Sequence, residues 1–315
     1  MKFTARNLMI FCVFALISFA SQAGEVRDYP LSKIAPHTYV IHGPLGFPSV
    51  ENQGFMNNPG FVITKSSVVI IDPGATLQVG RMLLKQIKTV TKLPVSHVFN
   101  THVHGDHWLG NQAIREAYPK AKLLGHPAMI QKIKEGEGKV WVSLMNDLTK
   151  GYSKGTRSVP PEVPALDHTD VKIGGMTFRI HAPEKAHSHT DIMIEAVEES
   201  VVFTGDNVLN QTIARMVDGT FKGSIAACDR IAAVKAKHYV PGHGPTGDVS
   251  VVTQYRQYLS TVFNDVKQQY DEGKADFEMK ARIVAKLKPY LAWDRFDVEL
   301  GKHISLAVLE IEATM

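Results

Sequence analysis

Blocks of apolar, β-branched residues separated by polar turns occupy two stretches of the chain, and helical spacing follows each of them. "HTYVIHG" (37–43) has strand character, and "PLGFPSVENQGFMNNPG" (44–60), rich in Gly, Pro and Asn, reads as a loop. "FVITKSSVVIIDPG" (61–74) sets two apolar runs across a polar turn and predicts a hairpin. Val79, Met82, Leu83, Ile87 and Val90 recur at helical intervals and predict a helix over 76–90. A strand over 95–102, a helix over 110–119 closed by Pro119 and a strand over 121–126 complete the first group. Residues 127–170 are less regular, reading as a helix and then the proline-punctuated connector "SVPPEVPALDHTD".

The β signal returns at 171, with a hairpin around Gly174–Gly175 and two strands within 191–206 flanking Glu198–Glu199–Ser200. A helix over 222–237, a short strand within "HYVPGHGP" (238–245) and a helical tail broken near Gly273 and Pro289 follow. Two strand groups, each followed by helices, predict an α/β fold in which two mixed sheets pack face to face beneath outer helices. No linker separates the halves, so residues 24–315 are expected to form one domain. Pattern alone does not choose between dimerisation and capping of a pocket for the helical tail.

The first 23 residues break this rhythm. Lys2 and Arg6 precede the apolar run "LMIFCVFALISFA", which is shorter than the roughly 20 residues a membrane span needs. "SQA" then supplies small residues, the layout of a cleaved secretory signal. Cleavage after Ala23 predicts a periplasmic or secreted protein with no membrane attachment. Its formal charge falls from +4 to +2, too mild to argue for nucleic acid. Cleavage also removes Cys12, so Cys228 remains alone and no internal disulfide can form. Cys228 lies in "IAACDRIAAV", where helix packing is its expected role. With 44% hydrophobic residues, the fold must rest on its core.

"THVHGDHWLG" (101–110) changes the picture most: His102, His104, Asp106 and His107 fall within six positions at the end of a strand. If the backbone stays extended, His102 and His104 point the same way. Gly105 then permits a turn that aims Asp106 and His107 at a second position. One segment could thereby serve two metal ions about 3.5–4 Å apart. Imidazoles and a carboxylate suit Zn²⁺, and Fe or Mn accept the same donors.

The motif "THVHGDH" resembles the metal-binding signature of the metallo-β-lactamase-fold hydrolase superfamily. "IIDPG" (70–74), "AHSHTDIMIEAVEESVVFTGDNV" and "VPGHGP" resemble its other motifs in order, while residues 249–315 carry none. The resemblance implies an αβ/βα sandwich in which His102, His104 and a histidine of "HSH" hold one metal. Asp106, His107 and His243 would hold the second, and Asp206 would bridge both beside a hydroxide nucleophile. Asp106 and Asp206 are thus the expected catalytic carboxylates, and Asp72 would orient a ligand. Aligning Asp191 with the family's aspartate selects His187 as the ligand, with His189 as runner-up.

That resemblance implies a two-zinc hydrolase of small acyl substrates. An aspartate at 206 is similar to glyoxalase II and favours ester, thioester or lactone cleavage over β-lactam hydrolysis. No basic glutathione-binding pattern like that of glyoxalase II is found in the C-terminal third. A β-lactamase and a mononuclear iron oxidoreductase of the persulfide dioxygenase type are the alternatives. Phe55, with Phe47 and Met56, could cover an apolar substrate from the 44–60 loop. Lys222 could anchor a substrate carboxylate, and Trp108 could line the pocket or pack beneath the turn.

Overall fold

The structure is a computed structural model that describes residues 24–213 and 215–313. The expected signal segment lies outside the described residues. A first sheet has the order β1 (Leu31–Lys33), β2 (Thr38–Ile41), β3 (Gly60–Ile63), β4 (Val68–Ile71), β5 (Val95–Asn100), β6 (Lys122–Gly125), β7 (Val163–Pro164). Its first four strands pair antiparallel, and β4 through β7 run parallel. A second sheet has the order β12 (His238–Pro241), β11 (Val201–Gly205), β10 (Met193–Ala196), β9 (Met176–His181), β8 (Asp170–Ile173). Only its β11–β12 pair is parallel.

Side-chain alternation makes the layers. Within β4, Val69 and Ile71 join Phe99 of β5 and meet Phe178, Ile180, Ile194 and Phe203 of the second sheet. Val68 and Ile70 point the other way, against Val79, Met82, Leu83 and Ile87 of α1 (Leu77–Val90). A strand buried on both faces reads as an unbroken apolar run, as "VVII" does. In chain order α2 (Gly105–Trp108) and α3 (Asn111–Ala117) separate β5 from β6, and α4 (Pro127–Lys132) and α5 (Gly138–Leu148) separate β6 from β7, with α3 packed beside α1. The outer face of the second sheet is covered by α6 (Phe221–Ala232), α7 (Val249–Asp271), α8 (Asp276–Lys286) and α9 (Phe296–Glu312). The layers are therefore helix, sheet, sheet, helix, and the fold class is the predicted one.

The parallel strands β4 and β5 and the β11–β12 pair end at one rim of the sandwich. The motif turns 72–74, 101–107, 206–210 and 242–244 emerge there, where α/β folds collect their functional loops. Asp72 sits at φ +52°, a left-handed conformation rare outside glycine, directly after β4. Among the described residues no helix is long and apolar enough to cross a membrane.

Candidate metal centre

Two groups of donor atoms converge on that rim. His102, His104, His187 and Asp206 form one, and Asp106, His107 and His243 the other. Within each group the ligand atoms lie within 4.8 Å of one another, and all seven residues are buried. The two groups share a carboxylate. Asp206 Oδ2 lies 3.6 Å from His187 Nε2 and 4.0 Å from His102 Nε2, while its Oδ1 lies 3.2 Å from His107 Nε2 and 3.4 Å from His243 Nε2. Asp106 Oδ2 lies 3.3 Å from His107 Nε2 and 3.2 Å from His243 Nε2.

Outer partners decide which nitrogen of each ring faces inward. A carboxylate or carbonyl oxygen only accepts, so the nitrogen that meets one must carry the hydrogen. His107 Nδ1 donates to Asp72 Oδ2 at 2.8 Å, and His243 Nδ1 donates to the Met56 carbonyl at 2.9 Å. Both rings therefore turn their Nε2 atoms inward, 3.3 Å apart and facing the Asp106 and Asp206 oxygens. Thr101 gives its hydroxyl hydrogen to Asp72 Oδ2 at 2.6 Å, so its oxygen accepts from His102 Nδ1 at 3.1 Å. His102 Nε2 is then left buried without a hydrogen-bond partner among the described residues, as is Asp206 Oδ1. His104 donates from Nε2 to Asp218 Oδ2 at 3.2 Å, which turns its Nδ1 toward His187 Nε2 at 3.0 Å.

Carboxylate oxygens and imidazole nitrogens crowded across about 3 Å repel unless positive charge, a proton or a metal ion, stands among them. Among the described residues no lysine or arginine forms an ion pair with Asp72, Asp106 or Asp206. Burial works to protonate Asp106 and Asp206, yet the facing His107 and His243 hold both carboxyls well below the usual carboxylate range. Burial likewise opposes charge on His243, but Asp206 and Asp106 push it up to about 9. His187, pressed by burial, is held neutral at about 3. An electron-rich donor set with unpartnered inward atoms fits divalent metal ions.

Local structure explains why these side chains arrive together. Asp72 collects Thr101 N–H at 2.8 Å as well as the Thr101 hydroxyl and His107, clamping the start of the histidine turn to the end of β4. Asp191 accepts from Ser188 N–H at 2.8 Å and Ser188 Oγ at 2.6 Å, closing a turn that sends His187 inward. His189, the runner-up, is exposed and belongs to neither group. Gly105 has no left-handed backbone; it begins α2, and a Cβ there would come within 2.8 Å of Trp141 Cβ. Gly242 is required for contact, because a Cβ would fall 1.9 Å from Asp206 Oδ1.

Three substrate-binding expectations are corrected. Trp108 is fully buried, donates from Nε1 to the Val103 carbonyl at 2.7 Å, and packs beneath the turn. Phe55 is also fully buried, edge-on to Tyr29 at 4.6 Å, although its loop neighbours Phe47 and Met56 do line the cavity above the cluster. Lys222 begins α6 with its ammonium 5.7 Å from the Phe263 ring, away from the cavity, because α6 packs toward α7. Sequence reasoning missed Asp218, Trp141, Arg215 and Arg295, all of which border the same cavity of about 370 Å³. A lone Asp or Arg in a loop carries no spacing signal that could have found it.

The pattern described as the metallo-beta-lactamase superfamily matches residues 53–243. An atrochrysone carboxyl ACP thioesterase of Paecilomyces divaricatus is 28% identical over 51% of this chain and 42% of its own length. A hydroxyacylglutathione hydrolase of Francisella tularensis subsp. novicida is 24% identical over 50% of each chain. The chain thus spans about half the length of these curated relatives. A metallo-beta-lactamase structure from Pontibacter korlensis superposes with a TM-score of 0.59 at 23% identity, covering 73% of this chain and 98% of that one, and shares the fold.

Proposed function

The chain belongs to the metallo-beta-lactamase superfamily, and from that premise we propose that it is an exported hydrolase of acyl substrates, thioesters foremost, working with two divalent metal ions, zinc by preference. Asp206 carries the proposal: one carboxylate divides its two oxygens between two sets of imidazoles, as a shared ligand must. The names of the thioesterase and hydroxyacylglutathione hydrolase relatives support an acyl thioester as the substrate class. Lys2, Arg6 and the apolar run after them support export.

Held at this site, divalent cations supply Lewis-acid activation of water and of an acyl carbonyl at neutral pH. The chain's own residues do the rest. His102, His104 and His187 present one set of nitrogens, and Asp106, His107 and His243 present the other donors. Asp72, Asp218 and the Met56 carbonyl hold ring hydrogens outward, so the inward lone pairs need no reorganisation. Trp141, 5.1 Å from His104 between ring centroids, and Met56 set apolar surface beside the donor cluster. The cysteine takes no part: burial pushes the Cys228 thiol up to about 12.

A panel of acyl thioesters, aryl esters, lactones and a chromogenic β-lactam, assayed on the metal-loaded chain from Gly24 onward, tests the proposal. Thioester turnover that disappears with Asp206→Ala is expected. Turnover of the β-lactam alone, or oxygen uptake with a persulfide and no hydrolysis, would overturn it.

A further inference from the structure

The cavity above the donor cluster has two kinds of wall. One is apolar. Val140, Trp141, Leu144 and Leu148 line it from one side of α5, joined by Phe47 and Val217. Four of the thirteen large hydrophobics most exposed among the described residues border this one cavity: Phe47, Val140, Leu148 and Val217. Apolar surface left open in a concave site is a mark of ligand binding.

The other wall is cationic. Arg295 caps the start of α9, with only 8% of its side chain exposed. Its Nε and Nη2 donate to Thr212 Oγ1 at 3.2 and 2.9 Å, its Nε lies 3.3 Å from Asp294, and its guanidinium stands 5.2 Å from the Phe47 ring centre. Nη1 makes no hydrogen bond among the described residues. Arg215 borders the cavity exposed, with no hydrogen bond or ion pair to a described residue. The carboxylates of the same cavity are engaged elsewhere: Asp106 and Asp206 with histidines, Asp218 with His104, and Glu137 with Lys132 at 3.6 Å. Two guanidiniums therefore remain beside an apolar surface with no anion of this chain assigned to their free donors.

We propose that the cavity selects an amphiphilic anion: an acyl compound whose apolar chain lies along α5 and whose carboxylate, or chemically similar oxyanion, is held by Arg215 and Arg295. The inference rests on reading this cavity as the substrate site and narrows its substrate class. Arg295 is pre-positioned by Thr212, Asp294 and Phe47, so a charge-assisted contact there costs little ordering of the side chain. It also gives the helical tail, which carries no family motif, a part in the pocket.

Calorimetric titration of the metal-loaded chain with octanoate, octyl phosphate, octan-1-ol and acetate tests this without turnover. The two chain-bearing anions should bind more tightly than either the alcohol or acetate. Arg215→Gln and Arg295→Gln should each weaken them about tenfold and leave octan-1-ol unchanged. Leu144→Asn should weaken all three eight-carbon ligands. Arg215 is exposed, so Arg215→Gln keeps the test intact if Arg295→Gln fails to fold. Octanoate bound equally by the parent and Arg215→Gln would overturn the proposal, as would an alcohol that matches the anions. Arginine-dependent binding by a protein that cleaves no acyl compound would refute the hydrolase reading alone. Acyl turnover with charge-indifferent binding would refute this one alone.

Discussion

His104 donates its Nε2 hydrogen to Asp218 across 3.2 Å, and that bond turns the opposite nitrogen, Nδ1, toward His187. The hydrogen bond from His104 also draws the Asp218 carboxyl down to about 2, against its partial burial. Removing such an outer partner typically costs tenfold to a hundredfold in metal affinity. Asp218→Ala should therefore weaken metal binding about tenfold or more in competition with a chelating dye. Asp218→Asn should recover most of it, since an amide oxygen still accepts from Nε2. Equal affinities for the parent and Asp218→Ala would remove Asp218 from the account.

Two glycines should respond oppositely to alanine. At Gly242 the new methyl would overlap Asp206 Oδ1 at 1.9 Å and the Gly205 backbone at 2.8 Å. The shared carboxylate must move, so Gly242→Ala should lose metal and activity together, with a stability loss of about 1–3 kcal/mol. Gly301 lies exposed within α9, and a methyl there meets nothing within 4 Å. Gly301→Ala should stabilise the fold by about 0.5–1 kcal/mol. Thermal unfolding with metal analysis reads both, and a metal-replete Gly242→Ala would contradict the packing described.

Much of this arrangement was legible in the chain. The "VVII" run of β4 and the 3.6-residue rhythm of α1 are strong local signals because one or both faces are buried continuously. The histidine turn was legible because its ligands are close in sequence. Strands β1 and β7, of three and two residues, were not, since pairing with a neighbour rather than composition makes them strands. The 127–148 segment was irregular for a physical reason. A kink at Gly136, φ +119°, interrupts it, and its apolar residues are divided between the core, which takes Met129 and Ile133, and a cavity, which Val140, Leu144 and Leu148 border. Asp218 and Arg295 reach the site only through tertiary folding. Phe55, Trp108 and Lys222 show the converse: nearness in sequence to a site does not fix which way a side chain points.

Cys228 is fully buried, with its sulfur 3.6 Å from the Asn207 carbonyl. A thiol pushed up to about 12 holds almost no thiolate at pH 8. In the chain from Gly24 onward, a disulfide reagent should leave the native protein unlabelled over the time in which it fully labels guanidinium-unfolded protein. Rapid native labelling would show that α6 does not seal the residue.

Asp167 accepts from Arg230 Nη1 at 3.0 Å and from Ala182 N–H at 2.8 Å. Burial raises its carboxyl, but these donors outweigh burial and hold it below the ordinary value. A depressed folded pKa means stability that is present above the unfolded value of about 3.9 and lost as pH falls through the folded one. Asp167→Asn should unfold at lower temperature than the parent at pH 7, by less than about 1 kcal/mol of stability since the pair is partly exposed. The gap should close toward pH 3 in parallel melts. A gap independent of pH would assign the loss to packing.

The central claim is that seven side chains from His102 to His243 hold two divalent ions with Asp206 as their common ligand. Elemental analysis of the purified chain and its Asp206→Ala variant, after equilibration with zinc and removal of excess, tests it most directly. Two ions per chain are predicted for the parent, with both sites weakened together by the single substitution. A parent that retains one ion or none, or a variant that keeps both at full affinity, would contradict it.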